Sequence, residues 1–168
     1  MKSNWRGRIT VLQEIANLRP SQGLWVRFPP SPPKLLKLRN MTLENTFACA
    51  INCMDGRIQD TVKNYMKENY HVDYVDMVTE PGPNKILADN LDMPVIENIK
   101  KRVGISVEHH GAKAIAIVGH FGCAGNPVEK EEQIGHLKEA KKTIESFGFE
   151  AEIVLLWVGQ GWDKTEAV

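Results

Sequence analysis

Thr46-Phe-Ala-Cys-Ala-Ile-Asn52 runs directly into Cys53-Met-Asp-Gly-Arg57. The first stretch is a compact apolar run and reads as a buried strand. A thiol, a carboxylate and a guanidinium then leave the end of that strand at alternate positions. The pattern returns far along the chain, where Ala114-Ile-Ala-Ile-Val-Gly119 reads as another strand and His120-Phe-Gly-Cys123 follows it. Soft ligands at two strand ends predict a single metal site, provided those ends are neighbours in space.

The intervening sequence bears on that condition. Ile58 to Asn69 has helical spacing, with Ile58, Val62, Tyr65 and Met66 on one face. Tyr74 to Thr79 is a short strand, and Glu80-Pro-Gly-Pro-Asn84 reads as a stiff, irregular loop. A helix opens around Asp92, with Asp92 as N-cap and Pro94 in the first turn. Val95, Ile96, Ile99, Val103 and Val107 keep its period as far as His110-Gly111, and Gly104 is its weak point. A charged helix runs from about Val128 to Phe147 and ends at Gly148, and Ala151 to Trp157 is a further strand. Val158 to Val168 receives no assignment.

The order β-α-β-α-β-α-β predicts an α/β fold, a parallel sheet of about four strands with helices on both faces. In strand order 2-1-3-4 the first and third strands adjoin and their outgoing connections diverge. Their carboxyl ends then flank the switch point at which such sheets bind ligands. This brings Cys53 and His120 together.

A chain of 168 residues, 42% of them hydrophobic, can bury one core. Its net charge is zero but unevenly placed: residues 1–40 are strongly basic, with Glu14 as their one acidic side chain, and the remainder is acidic. An acidic body argues against nucleic acid as a partner. Within the basic segment, Phe28-Pro-Pro-Ser-Pro-Pro33 favours extended polyproline over regular hydrogen bonding. Residues 1–40 are therefore expected to be a disordered extension, or sequence upstream of a true start at Met41, with the domain spanning residues 41–168. Three cysteines make no disulfide framework, which points to a reducing cytoplasm. No apolar run has the length of a membrane span, and none resembles a secretory signal core, so no membrane partner is expected.

Cys53, His120 and Cys123 suit zinc, whose catalytic sites keep three protein ligands and one open position. His-x-x-Cys spacing lets one short loop carry two of the ligands. Two thiolates and a dication sum to no local charge, so a bound water can still ionise near neutrality. Asp55 beside Arg57 is more than structural zinc needs. A carboxylate oriented by a guanidinium fork stays ionised. It can accept a proton from the nucleophile or swing in as the fourth ligand.

Cys53-x-Asp55-x-Arg57 with His120-x-x-Cys123 resembles the zinc site of the β-class carbonic anhydrases, most closely a short branch with Cys-Met-Asp-Gly-Arg and Gly-His-x-x-Cys-Ala-Gly-Asn patterns. The resemblance covers about residues 44–165. It implies Zn2+ held by Cys53, His120 and Cys123, an Asp55–Arg57 catalytic dyad, and reversible hydration of CO2 to bicarbonate by zinc-bound hydroxide. It also implies a homodimer or higher homo-oligomer. Family members acting on COS or CS2 use the same scaffold, and a non-catalytic zinc-binding module is the remaining alternative. The chain departs from the usual family at Gly56, where Ser is common, and at Thr79-Glu-Pro-Gly-Pro-Asn84, where an Arg-Asn-Ala-Gly-Asn segment is common.

Cys49 lies four residues before Cys53, on the same strand face and about 13 Å away if extended, and is assigned to packing. His109 and His110 are expected to face a helix C-terminal dipole. His71 and His136 read as surface residues, either of which could carry protons to solvent. Asp60, Glu80 and Asn126 are close enough in sequence to line the site.

Overall fold

The computed structural model describes residues 45–168, so the expectations for residues 1–40 and their boundary at Met41 lie outside the described residues. The strands are β1 (Phe47–Cys53), β2 (Tyr74–Glu80), β3 (Ala114–His120), β4 (Glu152–Val158) and β5 (Thr165–Ala167). They form one sheet in the order β2-β1-β3-β4-β5. The first four pair in parallel, as the element order predicts. The fifth is an addition: β5 runs antiparallel to β4, with Trp157 opposite Glu166. Its three residues are too few to show a period of two, so the sequence carries no strand signal there.

Both faces are covered. Helix α1 (Gln59–Tyr70) lies on one face. There Ile58, Val62 and Met66 pack on Ala48, Ala50, Ala116, Val118 and Leu156. The alanines leave room for the helix to approach the sheet. On the opposite face lie α2 (Pro83–Asp89), α3 (Met93–Gly104) and α4 (Lys130–Glu145). Leu87, Ile96, Ile99, Val103, Leu137 and Ile144 bury Ile51, Ile115 and Ile117 on that side.

Helix α2 corrects the reading of Glu80 to Asn84 as wholly irregular. Pro83 is the first residue of the helix, where its fixed φ is already helical and its missing N–H is one the first turn leaves unpaired. Gly82, at φ +62°, turns the chain into it. The cap at Asp92 is as expected, its carboxylate accepting the Val95 N–H at 3.3 Å. Past Gly104 the backbone continues as a π-helix, Ile105–His109. A Cβ on Gly104 would meet the Phe149 ring at 3.5 Å, so the glycine lets that ring pack against the helix. His110 pairs with Asp76 of β2 at 2.8 Å instead of serving a helix end alone.

Cys49 is buried, as its assignment to packing requires, but it does not share a face with Cys53. It joins the core under α3 and α4, whereas Cys53 packs with the residues on the α1 side. Strict alternation ends with the strand: Cys53 is its last residue, and its sulfur meets Cys123.

Candidate metal centre

Parallel pairing of β1 with β3, with Ile51 opposite Ile117, sets their carboxyl ends side by side. Cys53 closes β1 and His120 closes β3. Gly122, at φ +65°, reverses the chain just beyond, so that Cys123 returns toward both. The ligand atoms of Cys53, His120 and Cys123 all lie within 4.8 Å of one another, and all three residues are buried. The two sulfurs are 3.8 Å apart. An ion bound tetrahedrally at about 2.3 Å from each sulfur would set them about 3.8 Å apart.

The imidazole is prepared for the same role. His120 Nδ1 lies 3.0 Å from the Phe121 carbonyl oxygen. A carbonyl can only accept, so Nδ1 carries the hydrogen and Nε2 keeps its lone pair. Nε2 is buried with no partner among the described residues. Leaving such a group unpaired costs about 1–3 kcal/mol, and a metal ion removes that cost.

Electrostatics make the sulfurs unequal. The Cys53 thiol is pulled down from its ordinary range, chiefly by the hydrogen bond from Cys123 and against the effect of burial, with the N–H groups of Gly82 and Asp55 assisting. Cys123 is pushed up because it donates to that sulfur and because it is buried. The two sulfurs face each other across the space a dication would take. The donor set fits zinc.

Asp55 is outside this three-residue cluster. Arg57 Nε lies 2.9 Å and 3.1 Å from its two oxygens, and the Arg57 backbone N–H donates to Oδ1 at 3.0 Å. This fork, foremost its side-chain hydrogen bonds, draws the carboxyl down to about 2 despite partial desolvation. The open face of the pair borders a groove of about 690 Å³ lined by Arg57, Thr61, Tyr65 and Trp162. A smaller cavity of about 370 Å³ is lined by Phe121, Cys123, Val128 and Trp157.

Three supporting residues escaped the sequence reading. Gln59 Nε2 donates to the carbonyls of Cys53 (2.7 Å) and Asp55 (2.9 Å), fixing the turn between ligand and dyad. Gln133 is fully buried: Nε2 donates to the carbonyls of His120 (2.9 Å) and Asn126 (3.3 Å), and Oε1 accepts the His120 N–H at 3.3 Å. A signal existed for it, because Gln133 lies on the helical stripe continued by Leu137, Ala140 and Ile144. Trp162, in the unassigned C-terminal stretch, stacks on Arg57 with 4.1 Å between the guanidinium carbon and the ring centroid.

The weaker sequence candidates scatter. Asp60 is exposed and paired with Lys63, and Glu80 pairs with Arg102. Asn126 is buried beside the ligand loop, and its amide donates to His136 Nδ1 at 3.0 Å. His136 is thus half-buried and engaged, unlike a free surface residue, and His71 caps α1.

Three residues that could hold a metal ion thus stand together at the carboxyl ends of adjacent strands of a mostly parallel α/β sheet. The family model described as "Putative carbonic anhydrase" matches residues 43–168, and the chain belongs to that family. This bears out the resemblance read from the motif. Among solved structures, the chain is similar to a tetrameric beta-carbonic anhydrase from the filamentous ascomycete Sordaria macrospora, at 14% identity and TM-score 0.46, over 74% of this chain and 81% of that one. It is also similar to beta-carbonic anhydrase isoform I from the protozoan Trichomonas vaginalis, at 16% identity and TM-score 0.38, over 74% and 82% respectively. No curated protein sequence matches the chain.

Proposed function

We propose that this chain is a zinc-dependent lyase that hydrates CO2 reversibly to bicarbonate, with residues 41–168 as its catalytic domain. The observation that carries the reading is the convergence of Cys53, His120 and Cys123 to within 4.8 Å, with His120 Nε2 buried and without a partner among the described residues. These three atoms are the ligands we assign. Zinc held there would supply Lewis-acid chemistry that activates water near neutral pH.

The remaining work falls to side chains. Arg57 holds Asp55 ionised and fixed in direction. Asp55 accepts a hydrogen from the attacking oxygen, which leaves a lone pair aimed at the carbon of CO2. A new C–O bond forms as one C=O π bond opens, giving bicarbonate, and the released proton passes to buffer or to a histidine. With both carboxylate oxygens already held by Arg57, we read Asp55 as orienting the nucleophile and not as a fourth ligand.

We place the enzyme in the cytoplasm on the evidence of its three free cysteines. No helix among the described residues is long and apolar enough to cross a membrane. A homodimer or larger assembly is proposed, in keeping with the exposed apolar side chains of Met54, Leu91 and Met93. Zinc analysis of the purified protein, followed by stopped-flow CO2 hydration with a parallel sulfide-release assay on COS, tests the reading. Stoichiometric zinc with CO2 turnover supports it. Sulfide release without CO2 turnover would reassign the substrate, and zinc with neither activity would leave a binding module.

A further inference from the structure

We infer that Trp162 is a positioning residue that ties the two halves of the site together, an inference that rests on the zinc-enzyme reading above. Its indole ring lies against the Arg57 guanidinium at 4.1 Å. Its Nε1–H donates to the Phe121 carbonyl at 3.2 Å. That carbonyl also accepts the His120 Nδ1–H at 3.0 Å. One side chain therefore bears on the dyad through its ring face and on a proposed zinc ligand through its ring nitrogen.

Each contact constrains something otherwise loose. Arg57 has a side chain 47% exposed, held among the described residues by its bonds to Asp55 and by the indole. The Phe121 carbonyl belongs to a loop residue that is 40% exposed. With both lone pairs engaged, by the imidazole and by the indole, its direction is fixed, and with it the plane of the His120 ring.

The backbone is arranged to hold this side chain there. Trp162 sits at φ +57°, in the left-handed region that bulky residues avoid. Its N–H donates to the Gly159 carbonyl at 3.1 Å, closing the turn between β4 and β5. β5 is pinned to β4 by Val158 opposite Thr165, and to α1 by the hydroxyls of Thr61 and Thr165 at 3.2 Å. The short fifth strand thereby acquires a purpose: it fixes the turn that presents the indole.

The test uses the full-length, zinc-loaded protein and two variants. Trp162→Phe keeps a ring over Arg57 but removes the donor, whereas Trp162→Leu removes both. Zinc release to a chromogenic chelator is expected to quicken about tenfold in both variants. kcat is expected to fall in both, and by about a further two- to fivefold in the leucine variant, with KM for CO2 little changed. Wild-type zinc release and wild-type kcat in both variants would overturn the inference. So would equal kcat losses in the two variants together with a zinc loss that only tracks a lower melting temperature of the metal-free proteins, because that pattern is general loosening. A wild-type reference that holds no zinc or turns over no CO2 instead sinks the functional reading and takes this inference with it.

Discussion

Gly82 and Gly125 meet backbone to backbone. A Cβ on Gly125 would lie 2.4 Å from the Pro81 carbonyl carbon, and one on Gly82 would lie 2.5 Å from the carbonyl carbon of Gly125. The contact locks the turn before α2 against the loop carrying Cys123, and both turns aim N–H groups at the sulfurs of the proposed ligands: Gly82 at Cys53, Gly125 at Cys123. Gly125→Ala must push backbone away from backbone. We expect it to cost about 1–3 kcal/mol in denaturant unfolding and to weaken zinc binding as well. Gly135→Ala is the contrast: it sits within α4 with open space around its Cβ position. It is expected to stabilise by up to about 1 kcal/mol. Equal stability in both variants would show that the loop contact is not needed.

Asp55→Asn preserves shape and removes the charge that Arg57 orients. Because Asp55 is not among the three clustered residues we propose as ligands, zinc content is expected to stay stoichiometric while kcat falls about a hundredfold or more, in the range general acid–base groups contribute. In the wild type the carboxyl is drawn down to about 2, so it is ionised throughout the neutral range. A kcat profile between pH 5 and 9 should then show no inflection from Asp55, and any limb there belongs to the nucleophile or a proton carrier. Unaltered turnover in the asparagine variant removes Asp55 from the reaction.

Cys123→Ser replaces a soft sulfur ligand with a hydroxyl, a poor zinc ligand that can still donate to Cys53. Metal content and metal-dependent stability are expected to fall together. At zinc a thousandfold above Kd, the wild type should gain about 4 kcal/mol from binding, and the serine variant much less. Thermal melts with and without chelator measure the difference. A variant stabilised by zinc as strongly as the wild type would exclude residue 123 as a ligand.

Much of this architecture was legible because the signals were local and strong. Ala114 to His120 is buried throughout, and such a run can only be a central strand here. The cap at Asp92 announced α3 through one side chain. The convergence of Cys53 with Cys123, seventy positions apart, followed from strand order together with the His-x-x-Cys spacing. What escaped lacked a period or depended on partners distant in sequence. α2 is seven residues long and begins with a proline that, read locally, signals a break. β5 exists only because β4 offers it an edge. Gln59 and Trp162 act through carbonyl groups, which no side-chain motif encodes.

Cys49 offers a test of the buried core that is independent of the metal. Burial pushes its thiol from 9.0 to about 12, with the Asp76 charge adding to the rise and the Ser106 hydroxyl opposing it. The folded protein therefore keeps this proton while the unfolded chain releases it above about pH 9. An acid raised in the folded state contributes its full stability below the unfolded pKa and loses it as pH climbs toward the folded value. Between pH 9 and 12 the cost should approach, and not exceed, about 1.4 kcal/mol per pH unit. Cys49→Ala deletes that titration, so its stability should decline less steeply than the wild type's over this interval, while tyrosine and lysine titrations affect both proteins alike. Urea unfolding at half-unit pH steps compares the two slopes. Parallel slopes would mean that the thiol ionises equally in both states, and the sealed environment under α3 and α4 would have to be open to water.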